Sequence, residues 1–496
     1  MKDELEKGIA WLAASKIIVN ILALFSTVLL ARYLSPDDFG IASLAYTILT
    51  IIGALTELTL GSALIHHKNP TDDHFHTVWT LNSSRGIIVA LILALTAPLV
   101  ASIYQEPRLI NIMLALACSV AISGFNNPKT ILFLRNLVFW QDFLINVAQK
   151  VTSFITGALI AIIYQSYWAL VAGMIASQIV GIIVSYAVIP FKPKLMFRHT
   201  KELLFFSVWL MLSQLINTLN SRLDFLLIGG VLGRPVLGYY TVGDNLASMP
   251  TRELIAPLQF TLFPGFSKIK DDIHRLRQAY KSAQGLISAL ALPIGFGFAL
   301  IAHPFVLLLM GSKWLPSVIV IQILSCMFAI QTLGSSIYPL AMAQGKTKLL
   351  FRRDLFNLII RVPMILIGMS YWGLLGIVYA RALSGLIAMY RNMRFVRDMI
   401  EISVVVQLGY SIRSAVSVIV MILGVLSTQY LIGQDGTSIV LFLKMILFII
   451  TGAVFYISMH IMLWWMLGRP DGPEEEVLRI MKKINKKIFD KAIYRL

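Results

Sequence analysis

Apolar runs of about 20 residues recur along the whole chain, and short polar connections separate them. A run of this length can span a bilayer as a helix. The length of the runs and their lack of period-two alternation favour helices over the strands of a membrane barrel. We therefore predict an all-α polytopic membrane protein with about 14 transmembrane helices, at 8–31, 40–65, 77–103, 108–124, 144–164, 168–190, 203–232, 238–264, 282–310, 316–341, 354–371, 373–391, 412–433 and 438–467.

The basic residues of the connections fall on one side of this topology. With the N-terminus in the cytoplasm, the cytoplasmic segments carry 30 Lys and Arg, whereas the outer connections carry four, Arg32, Arg108, Arg234 and Lys313. Such a bias orients membrane proteins with their basic loops in the cytoplasm. Both termini are therefore expected there. The mixed-charge start MKDELEKG leads into a long apolar run, which predicts a retained first span rather than a cleaved signal.

The composition excludes several classes of protein. The chain is 57% hydrophobic and 14% charged, whereas soluble domains are about 25% charged. A soluble multidomain enzyme, a disordered chain and a disulfide scaffold are thereby excluded. The net charge is +17, and most of the basic residues behind it lie in the predicted cytoplasmic loops, where they orient the protein in the membrane. We therefore expect no nucleic-acid partner. Cys118 and Cys326 lie within apolar runs and are interpreted as packing residues.

The chain also matches itself at an offset of 198 residues. Trp11 falls on Trp209, Ser15 on Ser213 and Gly40 on Gly238, so that ARYLSPDDFG lies over GGVLGRPVLG. A parallel repeat implies a pseudo-twofold axis along the membrane normal, with a substrate cavity between two lobes. This predicts six-helix lobes at 1–200 and 201–400. Helices 13 and 14 follow at 401–467, and a cytoplasmic tail occupies 468–496.

Ionisable residues within the predicted spans are the candidates for function. A charge at the centre of a bilayer costs at least about 2.5 kcal/mol. When the charged residues at the ends of spans (Arg108, Asp354, Arg391 and Arg413) are counted with the connections, four acids and eight bases lie within the spans, so the membrane interior of the protein is net positive. These residues are Glu57, Asp224, Asp244 and Glu253, and Lys16, Arg85, Lys150, Arg222, Arg252, Arg361, Arg381 and Lys444.

The arginines suggest a site for an anion. Arg222, Arg252 and Arg381 lie deep within their spans, so we do not interpret them as surface charges. With Arg85 and Arg361 they would form a row of cations from one side of the membrane to the other. The planar guanidinium group binds two phosphate oxygens at once and stays protonated. We therefore predict a cationic substrate-binding cavity, to which Lys16 and Lys150 are added. Both lysines, like Lys444, could alternatively extend their amino groups to the membrane surface.

The acids have two open interpretations. Glu57 and Arg85 lie at equal depth on either side of one cytoplasmic loop and could pair. Asp224, Asp244 and Glu253 could bind H+ or Na+ as coupling ions, or could serve as counterions to neighbouring arginines. Prolines near Arg252, such as Pro250 and Pro257, could expose backbone to a cavity.

Other sequence features carry less chemistry. The histidines of one loop, His66, His67, His74 and His76, lie among interfacial charges, and we expect no metal site. The tail from Glu474 to Leu496 predicts a basic amphipathic helix on anionic membrane lipids. The sequence lacks a Walker loop, a nucleotide fingerprint, HExxH and a nucleophile elbow. We therefore expect a protein that is not an enzyme and has no cofactor.

Four segments of the chain carry a resemblance to a known family. They are ARYLSPDDFG, SRLDFLLIGGVLGRPVLGYYTVGDNLASMP, LFPGFSKIKDD and GSKW. Together they resemble the polysaccharide-transporter (Wzx-like) branch of the multidrug/oligosaccharidyl-lipid/polysaccharide (MOP) flippase superfamily, from about residue 8 to residue 400. The resemblance implies two lobes of helices, cavity arginines and an aspartate in span 7. At the matching positions these residues are Arg85, Arg222 and Asp224.

The resemblance also implies an activity. Relatives move an undecaprenyl-diphosphate-linked oligosaccharide repeat unit from the inner to the outer leaflet of the bacterial cytoplasmic membrane, for surface polysaccharide biosynthesis. We expect a monomer driven by membrane potential or by H+ or Na+, working beside a polysaccharide polymerase and export machinery. The alternatives are a cation-coupled multidrug exporter of the same superfamily, a membrane glycosyltransferase or polymerase, and a non-transporting scaffold. An acidic cavity would favour the exporter, and a large outer loop would favour the enzyme.

Overall fold

The regular structure is helical throughout the part of the chain that the computed structural model describes. That part comprises residues 2–56, 60, 64, 70–135, 139–433, 436–469, 472 and 474. Within it, ten helices are long and apolar enough to cross a membrane. The predicted all-α polytopic fold is thereby confirmed, whereas the number of 14 spans stays a prediction.

The first compact unit comprises Met1–Val242. It extends beyond residue 200 because the seventh long helix packs against the second. The predicted lobe boundary at residue 200 stays a prediction. The long helices of this unit are α1 (Lys2–Tyr33), α2 (Pro36–Leu55), α3 (Asp72–Ile103), α4 (Arg108–Ser123), α5 (Trp140–Tyr164), α6 (Trp168–Val188) and α7 (Thr200–Val231), followed by the first residues of α8 (Arg234–Lys268).

The second unit comprises Gly243–Leu496. The remainder of α8 belongs to it, and a short helix, Ile337–Ala343, lies between the tenth and eleventh long helices of the chain. Its other long helices are α9 (Ile273–Leu309), α10 (Pro316–Gln331), α11 (Thr347–Ile400), α12 (Ile412–Ile432) and α13 (Ser438–Met466).

Helix α11 contains both predicted spans 11 and 12. Its backbone turns back at Gly373, where φ is 56° and ψ is −128°. Residues with a side chain rarely adopt this conformation. The two arms then approach so closely that a Cβ on Gly368 would overlap the carbonyl oxygen of Gly376, and the reverse also holds. Three glycines therefore make this connection a tight turn.

The start of α2 is fixed by its own sequence. Ser35 caps the helix, because its Oγ accepts a hydrogen bond from the Asp38 backbone N–H at 3.2 Å and its own N–H donates to Asp38 Oδ2 at 2.9 Å. Pro36 occupies the first helical turn, where its missing N–H costs nothing. The SPDD segment therefore sets where the chain re-enters the membrane.

The N-terminal ends of α2 and α8 cross at residues that the sequence repeat relates. A Cβ on Gly40 would overlap the Arg234 carbonyl oxygen, and a Cβ on Gly238 would overlap the Pro36 carbonyl oxygen. Between them, Thr241 Oγ1 donates a hydrogen bond to Ser43 Oγ at 2.8 Å. Each of the pairs 36/234, 40/238 and 43/241 is separated by 198 residues, the offset of the repeat. The residues that the sequence repeat relates therefore meet in a symmetric contact between α2 and the start of α8.

One added methyl group at this crossing is expected to destabilise the protein. Gly40→Ala and Gly238→Ala each place a Cβ on a backbone carbonyl, and overpacking of this kind costs about 1–3 kcal/mol. Gly53→Ala on α2 and Gly265→Ala on α8 are matched controls, because a Cβ there meets nothing within 4 Å. Thermal unfolding in detergent should show a lower Tm for the first pair only. An equal Tm for all four variants would contradict this packing.

Glu474, the first residue of the predicted amphipathic helix, is held by helices α12 and α13. Its Oε1 lies 2.8 Å from Arg413 Nη1 and 3.0 Å from His460 Nε2. Burial opposes ionisation, but the hydrogen bond with His460 and the charge of Arg413 hold the pKa of Glu474 below its usual value. The remainder of the predicted amphipathic tail, 475–496, lies outside the described residues.

Candidate functional site: charges within the membrane helices

Arg85 on α3 contacts the C-terminal end of α2. Its Nη2 donates to the Gly53 carbonyl oxygen at 3.2 Å, and its Nε donates to Thr56 Oγ1 at 3.4 Å. A cation is favourable there because carbonyl groups at the end of a helix lack backbone partners. Glu57, its predicted partner, lies outside the described residues. Arg85 therefore stabilises a helix end whether or not it also meets a substrate.

Arg222 on α7 lies against aromatic rings. Its guanidinium carbon is 5.5 Å from the centre of the Tyr46 ring and 5.2 Å from that of Phe225. Such contacts stabilise the cation through the faces of the rings and leave charge and N–H groups to attract an anion. The side chain is half-buried. It is thus a fixed, permanently charged group within a membrane helix.

Asp224, two residues further along α7, is 1% exposed. One of its carboxylate oxygens accepts a hydrogen bond from the Tyr240 hydroxyl on α8. The other accepts from the Phe225 backbone N–H at 3.2 Å. A buried carboxylate in a membrane helix is costly and marks ion or proton sites by default. The structure places Asp224 and Arg222 on one helix but gives them different partners.

Asp244 on α8 and Arg381 on α11 form a buried ion pair. Asp244 Oδ1 lies 2.8 Å from Arg381 Nη1, and the two side chains are 13% and 11% exposed. The Arg381 guanidinium also lies 5.5 Å from the centre of the Phe328 ring. Asp244 is therefore a counterion, although of Arg381 and not of Arg252.

Arg252 and Glu253 are neighbours on α8. Arg252 Nε donates to Glu253 Oε1 at 3.1 Å, and the Arg252 side chain remains 63% exposed. Arg361 is half-buried within the first arm of α11. Both acids of α8 thus have an arginine beside them, so neither adds a bare negative charge to the site.

The lysines differ in their surroundings. Lys16 on α1 is exposed, and Lys150 on α5 is half-buried. Lys444 on α13 donates to the carbonyl oxygen of Ile432, the last residue of α12, at 2.9 Å. The interpretation of Lys444 as a non-functional cation fits this helix-capping contact.

Helix α8 carries prolines at a regular spacing of seven residues, at Pro250, Pro257 and Pro264. Residues seven apart lie on the same side of a helix, and each proline lacks the N–H that would bond the carbonyl four residues before it. The carbonyl groups of residues 246, 253 and 260 thereby lose that partner on one side of α8. Backbone of this kind at membrane depth is tolerated where it meets protein or a water-filled cavity.

The sequence did not point to a cluster of charges at the predicted outer surface. Arg108 Nη2 lies 2.8 Å from Asp37 Oδ2, and its Nε lies 2.9 Å from Glu106 Oε1. Arg234 pairs with the same two acids, at 3.1 Å from Asp37 Oδ1 and in direct contact with Glu106. We call Asp37, Glu106, Arg108 and Arg234 the outer charge cluster. The bases of the outer connections indicated only the topology. The acids Asp37 and Glu106, which lie in the same connections, were the sequence signal for ion pairs.

The outer charge cluster reinforces the crossing of α2 and α8. Asp37 lies in the first turn of α2, Arg234 begins α8, and Glu106 and Arg108 come from the connection between α3 and α4. Glu106 is 5% exposed, so its two arginine partners offset the cost of its burial. Together, the cluster and the glycine crossing hold the first turns of α2 and α8 against each other.

Comparison with known proteins gives the family context. The model of a family described as polysaccharide biosynthesis protein matches residues 29–319. The lipopolysaccharide biosynthesis protein WzxC of Escherichia coli K12 is 23% identical over 385 residues, covering 76% of this chain and 77% of WzxC. The succinoglycan biosynthesis transport protein ExoT of Rhizobium meliloti is 24% identical over 347 residues, covering 70% of each chain.

Solved structures agree on the fold. A lipid II flippase, MurJ, in an inward closed conformation has a TM-score of 0.72 at 14% identity, covering 92% of this chain and 99% of MurJ. An inward-facing multidrug resistance transporter of the MATE family, in the MOP superfamily, has a TM-score of 0.63 at 12% identity, covering 78% and 98%. The chain therefore shares the fold of these two transporters.

Proposed function

The chain belongs to the polysaccharide biosynthesis protein family, and from this premise we propose that it is a flippase for a lipid-linked oligosaccharide. It carries an undecaprenyl-diphosphate-linked repeat unit from the inner to the outer leaflet by alternating access, for surface polysaccharide biosynthesis. The names of WzxC and ExoT, in lipopolysaccharide and succinoglycan biosynthesis, support this proposal. So does MurJ, a flippase of lipid II, whose fold the chain shares.

The observation that carries the proposal is the surplus of arginine within the membrane helices. Arg222 is held by aromatic rings and Arg252 is largely exposed, so both have donors to offer an anion. A diphosphate leaves water only if other donors replace its hydration, and guanidinium groups do so with two hydrogen bonds each. The protein therefore lowers the barrier that the membrane poses to the head group, and the lipid chain can stay in apolar surroundings.

The competing transport function requires the opposite charge. An exporter of cationic drugs would need acids that face the transported cation, whereas here Asp244 is paired with Arg381, Glu253 with Arg252, and Asp224 is buried against the Tyr240 hydroxyl. A glycosyltransferase or polymerase would need room for an acceptor outside the membrane, and the described outer connections are short. The chain acts as a transporter and not as an enzyme.

The proposed setting is the cytoplasmic membrane of a bacterium, with both termini in the cytoplasm. The 30 basic residues of the predicted cytoplasmic segments favour this orientation and also favour contact with anionic lipids. The transported unit would pass to a polysaccharide polymerase and export machinery in the same membrane, and the flippase itself would act as a monomer.

Membrane potential is the proposed driving force, with an ion at Asp224 as the coupled partner. With a negative cytoplasm, moving one negative charge outward is favourable by about 2.3 kcal/mol per 100 mV. ATP is then unnecessary. The buried Asp224 carboxylate and its Tyr240 partner form the best-placed site for a proton or Na+ that moves in the opposite direction.

The role of Asp224 can be separated from that of the potential. Asp224→Asn is expected to abolish the response of flipping to a proton or sodium gradient while its response to potential remains, because only the ionisable carboxyl is removed. Tyr240→Phe, which removes the hydrogen bond and keeps the acid, should shift the pH dependence without abolishing it. Flipping in proteoliposomes with independently imposed gradients measures both. If Asp224→Asn responds to a proton or sodium gradient as strongly as the wild type does, ion coupling at Asp224 is excluded.

A further inference from the structure

An apolar groove lies on the second unit, between the inner half of α8 and the short helix Ile337–Ala343. Its volume is about 430 Å³. Its lining is apolar apart from the Gln259 amide and the Tyr338 hydroxyl, and three of its side chains remain well exposed, Phe263 at 44%, Tyr338 at 53% and Met342 at 36%. The lining residues are Ala256, Gln259, Phe263, Pro264, Tyr338 and Met342, with Pro339 at the edge.

The groove continues the helix face that carries Arg252. Ala256, Gln259 and Phe263 lie four, seven and eleven residues after Arg252, a spacing that keeps all four on one side of a helix. Arg252 is one turn, or about 6 Å, from the near end of the groove. The guanidinium group of Arg252 thus lies at one end of the apolar groove.

The charge of Arg252 is available to a ligand. Its Nε is engaged by Glu253 at 3.1 Å, whereas its two terminal amino groups form no hydrogen bond or ion pair with the residues that the structure describes. The side chain is 63% exposed. An exposed guanidinium within a membrane helix is costly unless water or an anion solvates it. This position therefore suits the phosphate of an amphipathic ligand.

The size of the groove fits a short length of an isoprenoid chain. A groove of about 430 Å³ has room for a short apolar chain, on the order of a few isoprene units. An apolar chain gains little free energy on leaving lipid for an apolar groove. The occupant is therefore selected by its head group, and Arg252 selects a diphosphate.

We infer that this groove holds the first isoprene units of the lipid carrier while the diphosphate binds Arg252. This inference rests on the proposed function and deepens it, since it assigns a place to the chain of the substrate. Holding the units next to the head group fixes the distance and direction of the diphosphate relative to α8. The remainder of the carrier stays in the bilayer.

Site-specific photo-crosslinking in nanodiscs tests the inference. A benzophenone amino acid is introduced at Met342 or at Phe263 in the groove. A third variant carries it at Leu355, an α11 residue that is 37% exposed and thus matched in exposure to Met342. The probe is undecaprenyl diphosphate in a phospholipid bilayer. We expect at least tenfold more capture of the probe at Met342 and Phe263 than at Leu355.

Two further arms identify what is captured. Farnesyl diphosphate, with three isoprene units, should compete with the probe, and Arg252→Ala should lower capture at Met342 at least tenfold. Equal capture at Leu355 would overturn the inference. Capture of phospholipid acyl chains in place of the isoprenoid would also overturn it. So would an amount of probe captured at Met342 that Arg252→Ala does not lower.

Failure of the inference is distinguishable from failure of the function. If wild-type protein flips the lipid-linked oligosaccharide in proteoliposomes while the groove captures only phospholipid, the proposed flippase function is supported and the groove assignment is wrong. If wild-type protein does not flip it, the proposed function itself fails. Filling the groove by Met342→Trp should slow flipping at least tenfold, and Leu355→Trp should leave it unchanged.

Discussion

Removing Asp244 is expected to cost more stability than any other single change among the membrane charges. The Asp244–Arg381 pair is nearly enclosed, at 2.8 Å, so Asp244→Ala leaves Arg381 as a buried charge without its carboxylate partner. Breaking one side of a buried ion pair costs about 3–5 kcal/mol. Thermal unfolding in detergent and protein level in membranes should both show the loss.

A double replacement separates the pair's stability from its function. Asp244→Leu with Arg381→Met removes both charges at similar volume and is expected to recover most of the stability, because an apolar pair can replace a buried ion pair. Arg413→Ala, which breaks another pair of the second unit at the tail, serves as the comparison. If Asp244→Ala unfolds no earlier than wild type, Arg381 has another way to satisfy its charge, and this account of the pair is wrong.

Removing Arg222 or Arg252 is expected to abolish polymer export while protein level is kept. A hydrogen bond to a charged group is worth about 1.5–3 kcal/mol, so each lost guanidinium should slow transfer of a diphosphate by roughly 10- to 100-fold. Export of surface polysaccharide in a strain without its own flippase is the assay. Lysine at these positions should rescue part of the activity, because it keeps the charge but loses the two-pronged contact.

Lys444→Ala is the matched control for these two arginines. Lys444 is also a cation in a membrane helix, but its amino group donates to the end of α12 and is not assigned to the site. We expect export to continue in this variant. Normal export by both Arg222→Ala and Arg252→Ala would remove the cationic-site model.

The helices were predictable from sequence because a membrane span has a fixed length and composition. Spans 4 and 10 correspond closely to Arg108–Ser123 and to Pro316–Gln331 with Ile337–Ala343. Predicted spans 11 and 12 both fall within α11, but a hydropathy pattern does not show that they join at a single glycine. The turn at Gly373 depends on backbone geometry, which apolar runs do not record.

The partners of the charges were less predictable. Sequence separation suggested that Asp244 would serve a neighbouring arginine, yet it pairs with Arg381, 137 residues away. The outer charge cluster also brings together residues from three separate connections. Periodicity describes one helix at a time, whereas an ion pair depends on how two helices pack.

The repeat is the exception, because an offset along the chain does predict a contact in space. Ser43 and Thr241, which the offset of 198 residues relates, form a hydrogen bond with each other. The match of Gly40 with Gly238 in sequence thus became a crossing in the structure. The sequence showed the equivalence, and close packing explains why both positions are glycine.

The central claim is that arginines within the membrane helices carry a diphosphate across without ATP. The most direct test is flipping of an undecaprenyl-diphosphate-linked oligosaccharide in proteoliposomes, with purified wild-type protein and the double variant Arg222→Ala/Arg252→Ala. An imposed potential, negative on the side from which the lipid departs, should accelerate the wild-type protein, and the double variant should be at least tenfold slower. Flipping by the double variant at the wild-type rate, with the same response to potential, would contradict the claim.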